Sequence, residues 1–202
     1  MTKREPDIKT RILLAAKKLF ALQGYDGTSV RQICDEAGAN LSLVSYHFGG
    51  KEKVFEALFE RYFLVRIPDE HDSSMSPVEG LVLIIRELIR FTSVDREMSD
   101  IVQLEMALRT NRNAAMYPFL EPIWTRLTGL LQAGKDQGIF RIDSVSYSML
   151  MVLSVSLSPQ RAFNTKFMVD FEQENPDHLA DQTVTFALRG LGVSRHEWTN
   201  RL

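Results

Sequence analysis

Val30-Arg31-Gln32-Ile33-Cys34-Asp35-Glu36-Ala37-Gly38-Ala39-Asn40-Leu41-Ser42-Leu43-Val44-Ser45-Tyr46-His47 is the stretch whose reading decides the fold. Val30, Ile33, Cys34 and Ala37 recur at i, i+3, i+4 and i+7, which places one apolar stripe on a helix two turns long. Thr28 or Ser29 is the candidate N-cap. Gly38 ends that helix, and a second short one follows from about Asn40 to His47 before Gly49-Gly50. Leu41 and Val44, three apart, are expected to face inward. Ser42, Ser45, Tyr46 and His47 are then left facing out, with Leu43 off the inner face.

The pattern extends in both directions. Upstream, a helix is expected from Asp7, just after Pro6, with Ile8, Ile12, Ala15, Ala16, Leu19 and Phe20 on one face; Gly24 stops it and Asp26-Gly27 turns the chain. Lys17-Lys18 read as a solvated face, and Cys34 as a buried structural thiol. Downstream, a fourth helix begins near Lys51 with Val54, Phe55, Leu58 and Tyr62 aligned, and its end is placed in the polar break from Pro68 to Pro77. Ser76-Pro77-Val78-Glu79 forms a capping box with proline at the first helical position. Further helices are expected over Val78–Thr92, Ser99–Arg112, Tyr117–Gln137 (bent near Pro118 or Pro122), Asp143–Leu157 with Asp143 as cap, and from Asn175-Pro176 to Arg189. Pro159 to Asn175 is irregular or holds a short helix. The fold class is therefore all-α, about nine helices with no strand pattern. A three-helix helix-turn-helix head over residues 1–52 precedes a larger helical body over residues 53–202.

Charge separates the two parts. Residues 1–66 hold 11 Lys/Arg against 8 Asp/Glu, a net +3, and residues 67–202 hold 13 against 18, a net −5. A basic head on an acidic body suits a nucleic-acid partner for the head alone. Two short helices joined by a glycine-containing turn are the helix-turn-helix arrangement, whose second helix enters the major groove of double-stranded DNA. Small and hydrogen-bonding side chains suit that position: Ser42, Ser45, Tyr46 and His47, with Leu43 available to a thymine methyl. His47 also has an ordinary reading as a half-buried, hydrogen-bonded histidine. Thr28 and Ser29 at the start of the second helix, and Lys51 at the start of the fourth, are the candidate phosphate-side contacts, and Arg31 is a further candidate DNA-binding residue.

Other function classes find little support. The four histidines, His47, His71, His178 and His196, are scattered without metal-ligand spacing. No phosphate loop, dinucleotide turn or nucleophile elbow is present, so neither an enzyme, a cofactor nor a metal is expected. The single cysteine excludes an internal disulfide, and with no apolar leader at the N-terminus a cytoplasmic location is the expectation. The longest nearly uncharged apolar run, Val145 to Leu157, is too short to span a bilayer. That same helix is apolar on nearly every side, with small Ser146, Ser148, Ser154 and Ser156 between large residues. A helix apolar all round is buried all round, which points to a partner chain. Together with the last helix it would form a four-helix bundle about a two-fold axis, a homodimer.

Gly24-Tyr25-Asp26-Gly27-Thr28-Ser29-Val30-Arg31-Gln32-Ile33, Ala37-Gly38-Ala39-Asn40 and Tyr46-His47-Phe48-Gly49-Gly50-Lys51-Glu52 together resemble the N-terminal signature of the tetracycline-repressor (TetR) family. The likeness covers about residues 8 to 58. Beyond it only the helical outline and Gly138-Ile139-Phe140-Arg141 are similar. The resemblance implies a homodimeric repressor that binds a palindromic operator and is released by a small-molecule effector. It also implies phosphate contacts at Thr28 and Lys51 and backbone contacts at Tyr46 and His47. Two positions depart from the family: Ser45 stands where an aromatic is common and Leu43 where a threonine is common, so the base-reading surface is smaller and less polar. Arg86, Arg90, Glu105 and Arg109 fall in the helices where the family builds its pocket; either they turn inward toward an anionic effector, or the arginines simply face solvent. Trp124, Tyr147, Met149 and Met151 either line that pocket or belong to plain core. Two other readings stay open: a DNA-binding regulator whose body takes a partner protein or no effector, and a helical interaction module or enzyme with a vestigial head.

Overall fold

A computed structural model describes residues 6–67, 75–108, 110, 112–164 and 175–194. Among them are nine helices and no strand: α1 (Ile8–Gly27), α2 (Val30–Ala37), α3 (Leu41–Phe48), α4 (Lys51–Tyr62), α5 (Pro77–Val94), α6 (Arg96–Leu108), α7 (Asn113–Asp136), α8 (Val145–Asn164) and α9 (Pro176–Gly190). They fall into two compact units. Residues 1–64 with 95–119 form one, and residues 65–94 with 120–202 the other. The first unit thus takes in more than residues 1–52, keeping all of α4 and adding α6.

Local chemistry explains where most helices start. Asp7 caps α1, accepting from the Thr10 amide at 2.9 Å, and this bond holds its carboxyl below the usual range. Ser29 and Gln32 close a reciprocal capping box on α2: the Ser29 amide donates to Gln32 Oε1 at 2.8 Å and the Gln32 amide to Ser29 Oγ at 3.2 Å. Asn40 caps α3 through the Leu43 amide at 3.0 Å. Ser76 and Glu79 form the expected box at α5. Gly24 interrupts α1 with φ 76°, leaving a short turn before α2.

Several boundaries differ from the sequence reading. Helix α4 ends at Tyr62, well before the polar break, of which residues 68–74 lie outside the described residues. Helix α6 starts at Arg96, because Asp95 caps it through the Met98 amide at 3.1 Å. Helix α7 begins at Asn113 and runs as one helix through Pro118 and Pro122. Ser144, not Asp143, bonds the first turn of α8, through the Tyr147 amide at 3.3 Å, and α8 continues to Asn164. Residues 165–174 of the segment read as irregular are outside the described residues.

In the first unit, Ile12, Ala16 and Phe20 of α1 are buried with Ile33 of α2, Val44 of α3, Val54, Phe55, Leu58 and Phe59 of α4, and Met98 and Ile101 of α6. An aromatic chain runs from Phe20 through Phe55 and Phe59 to Phe119, with centroids 5.8, 5.1 and 5.7 Å apart. Lys17 corrects the solvated-face reading: it is buried, its ammonium 2.9 Å from Asp95 and 4.8 Å from the Tyr62 ring centroid. Lys18 alone stays outside, paired with Glu36 at 2.6 Å. Cys34 is buried as expected, and burial raises its thiol pKa.

In the second unit, α5 packs against α8 and α9, burying Leu81, Ile85 and Leu88 together with Val152, Val184 and Leu188. A Cβ placed on Gly134 of α7 would lie 2.1 Å from the buried Phe140 ring, so only glycine admits that ring.

Candidate nucleic-acid interface

The turn between α2 and α3 depends on Gly38, which adopts φ 60° and ψ 42°, a left-handed conformation that costs a residue with a Cβ about 1–2 kcal/mol. Arg11 of α1 donates to the Gly38 carbonyl at 3.3 Å and ties this turn to the rest of the unit. Helix α3 is then anchored by Val44, which is completely buried. Its opposite side is open: Ser42, Ser45 and Tyr46 are exposed, Tyr46 at 84%. Leu43 and His47 are half-buried, and His47 meets Tyr46 edge-on with ring centroids 5.0 Å apart.

Leu41 overturns its inward reading. It is 54% exposed at the first turn of α3, so Val44 holds the helix without it. The three-residue spacing of Leu41 and Val44 implies a shared inner face, but on this eight-residue helix only Val44 is buried. The outward apolar group that could meet a thymine methyl is therefore Leu41 as well as Leu43.

The candidate phosphate contacts separate into two kinds. Ser29 and Arg31 are exposed at the N-terminal end of α2, where the first N–H groups have no intrahelical acceptor. Thr28 and Lys51 are committed to the fold. Thr28 is 1% exposed; its hydroxyl donates to the Gly24 carbonyl at 2.8 Å and accepts from Gln23 Nε2 at 3.2 Å. Lys51 donates to the carbonyls of Tyr25 at 2.9 Å and Thr28 at 2.8 Å, and its ammonium lies 4.0 Å from the Tyr25 ring centroid. Desolvation lowers its pKa. The side chains that the family resemblance turns toward phosphate thus close the unit from within.

Of the expected effector residues, Arg86 and Arg90 lie in the second unit and Glu105 in the first. Arg86 is paired with Asp181, and Arg90 with Glu87 at 2.7 Å, so neither sends an unpaired charge inward. Glu105 is buried, but in the first unit, where Arg112 and Thr110 donate to it at 2.9 and 3.0 Å. Arg109 lies outside the described residues. In the second unit Trp124 and Met149 are half-buried, with the Met149 thioether accepting from the Thr128 hydroxyl at 3.2 Å. Tyr147 instead stands outside on α8, with Leu150 and Met151 on the same face and all three exposed, while Phe186 is exposed on α9. No group of three or more metal-ligating side chains occurs among the described residues, and no described helix is long and apolar enough to cross a membrane.

Residues 12–58 match the family model described as "Bacterial regulatory proteins, tetR family". Over 86 residues the chain is 42% identical to the HTH-type transcriptional regulator LmrA of Bacillus subtilis (strain 168), covering 41% of this chain and 46% of LmrA. It spans about half the length of the first curated relatives it matches. A longer match, 27% identical over 172 residues, is to IcaR of Staphylococcus epidermidis, the HTH-type negative transcriptional regulator of the biofilm operon icaADBC; it covers 83% of this chain and 91% of IcaR. In structure, HlyIIR, a hemolysin II transcriptional regulator, superposes with a TM-score of 0.75 at 23% identity, covering 93% of this chain and 98% of that one, which shows a shared fold. Residues 12–58 thus carry the head motif of the tetR family of bacterial regulatory proteins, and the chain shares the fold of HlyIIR.

Proposed function

We propose that the protein is a DNA-binding transcriptional repressor that reads a palindromic operator as a homodimer and releases it when a small molecule binds its second unit. The observation that carries this reading is α3: a short helix held by one buried side chain, Val44, that offers Ser42, Ser45, Tyr46 and Leu41 outward. Such a surface suits the major groove, where side chains read base edges while neighbouring groups fix the backbone. Ser29 and Arg31 at the start of α2 are the phosphate-side contacts, and Tyr46 and His47 flank the reading face. Direct phosphate contacts by the Thr28 and Lys51 side chains are not part of the proposal, because their polar atoms are engaged within the fold.

The dimer is proposed through α8 and α9. Tyr147, Leu150 and Met151 present one apolar face, and Phe186 adds another large group. A patch of this kind is rarely left to water. Buried against its own copy it gives the isologous interface of a two-fold dimer, and two half-sites one helical turn of DNA apart, about 34–36 Å, would match it. Release by an effector rests on the family's behaviour, with Trp124 and Met149 in the second unit as candidate lining.

Enrichment of duplexes from a random pool by the purified protein tests the DNA claim. A palindromic consensus is expected; recovery of unrelated sequences counts against it. A thermal-shift screen of lipophilic and acidic metabolites then tests release. A stabilising compound should also weaken operator binding, since coupling between two sites is reciprocal.

A further inference from the structure

Arg112 lies outside every stretch so far placed at the interface, yet it grips the chain where α2 begins. It is the last residue before α7. Its Nε donates to Glu105 Oε2 at 2.9 Å, and its two terminal nitrogens donate to the two carboxylate oxygens of Asp26 at 3.2 and 2.9 Å. The guanidinium also lies over the Tyr25 ring, 4.4 Å from its centroid. That same ring carries the Lys51 ammonium at 4.0 Å, and Lys51 holds the Tyr25 and Thr28 carbonyls. Tyr25 to Thr28 is the short segment between the kink at Gly24 and the α2 cap at Ser29. Two cations, one from the start of α4 and one from the end of the α6–α7 connection, therefore fix the segment from which α2 departs.

The two arms of Arg112 have different roles. The Glu105 side chain is only 2% exposed, so its charge requires the guanidinium and anchors it. The Asp26 side chain is 73% exposed, and an ion pair there contributes little stability. What the exposed arm supplies is direction, because a bidentate fork fixes the carboxylate relative to the guanidinium plane.

We infer that Arg112 is a positioning residue for DNA reading: anchored on Glu105, it sets the Tyr25–Thr28 segment and with it the placement of the first turn of α2 against the phosphate backbone. This rests on the DNA-binding reading above. Two variants separate positioning from charge. Arg112→Lys keeps the cation and loses the fork. Asp26→Asn removes a negative charge near the interface, which by simple electrostatics should tighten DNA binding; loss of positioning weakens it instead.

The test is fluorescence-anisotropy titration of the full-length dimer with a duplex that the wild-type protein has enriched from a random pool, at several salt concentrations and well below the unfolding midpoint. Both variants are expected to remain dimeric and to bind roughly tenfold more weakly, about 1.4 kcal/mol. Loss of one phosphate contact per protomer should also make the salt slope about 1.8 units shallower. Wild-type or tighter binding by Asp26→Asn overturns the inference, as does wild-type binding by Arg112→Lys. If Arg112→Lys does not fold, Asp26→Asn decides by the sign of its effect. A wild-type protein that enriches no duplex refutes the DNA-binding reading itself, and the inference falls with it.

Discussion

Replacing Lys51 by alanine should destabilise the first unit rather than merely strip a contact from DNA. The ammonium makes two charge-assisted hydrogen bonds, to the Tyr25 and Thr28 carbonyls, and lies 4.0 Å from the Tyr25 ring centroid. Hydrogen bonds to charged groups contribute about 1.5–3 kcal/mol each, and the Tyr25 carbonyl keeps the Thr28 amide at 3.1 Å when Lys51 is removed. Lys51 is half-buried, so water can reach part of what its removal exposes, and the low end of that range applies. Adding about 0.5 kcal/mol for the cation–π contact and discounting for resolvation gives about 2–3 kcal/mol in all. For a chain of this length that corresponds to about 5–10 °C in unfolding temperature. Lys53→Ala is the control. Its ammonium pairs with Glu56 on the surface, so its loss should stay within about 0.5 kcal/mol. Urea unfolding followed by circular dichroism measures both. A Lys51→Ala protein as stable as the wild type but defective in DNA binding would refute the inward role and restore the phosphate contact implied by the family resemblance.

Gly134→Ala should cost about 1–3 kcal/mol in unfolding free energy, because the new Cβ would lie 2.1 Å from the Phe140 ring and force it to move. Leu150→Asp with Met151→Asp should convert the proposed α8–α9 dimer to monomer in sedimentation without loss of helicity; a persistent dimer would refute the proposed interface. Glu87 links stability to pH. The Arg90 hydrogen bond depresses its carboxyl below the usual 4.5, so the unfolded chain takes up the proton first. The stabilisation is complete above about pH 4.5 and is lost as pH falls through the lower folded value. Glu87→Gln should flatten that part of the acid limb in pH-dependent unfolding, and an unchanged limb would remove the pair from the account.

Local chemistry was legible; direction over distance was not. Ser29, one of two candidate caps, and Ser76 with Glu79 sit three residues from the amides they cap, so these roles follow from spacing, whereas the return bond to Gln32 and the Asn40 cap show only in the structure. The end of α4 was misplaced because Phe63, Leu64, Val65 and Ile67 continue an apolar run past Tyr62. The start of α6 was missed because Asp95 is followed by charged Arg96 and Glu97, which gives no apolar phase to follow. In the site, the outward serines and Tyr46 followed from periodicity around Val44. Lys17, Thr28 and Lys51 did not, because a cation or hydroxyl turns inward only when a partner waits there. For Lys17 that partner is Asp95, 78 residues away. Arg112 has no local signal at all, since its fork closes on Asp26 across 86 residues.

The central claim, that the outward face of α3 reads DNA, is tested most directly by Tyr46→Ala. Tyr46 is 84% exposed, and such a side chain contributes within about 0.5 kcal/mol to folding. Titration of wild type and variant with the enriched duplex should show at least a tenfold loss of affinity at an unchanged unfolding midpoint, about 1.4 kcal/mol or more. Equal affinity of the two proteins for that duplex would contradict the placement of α3 in the groove.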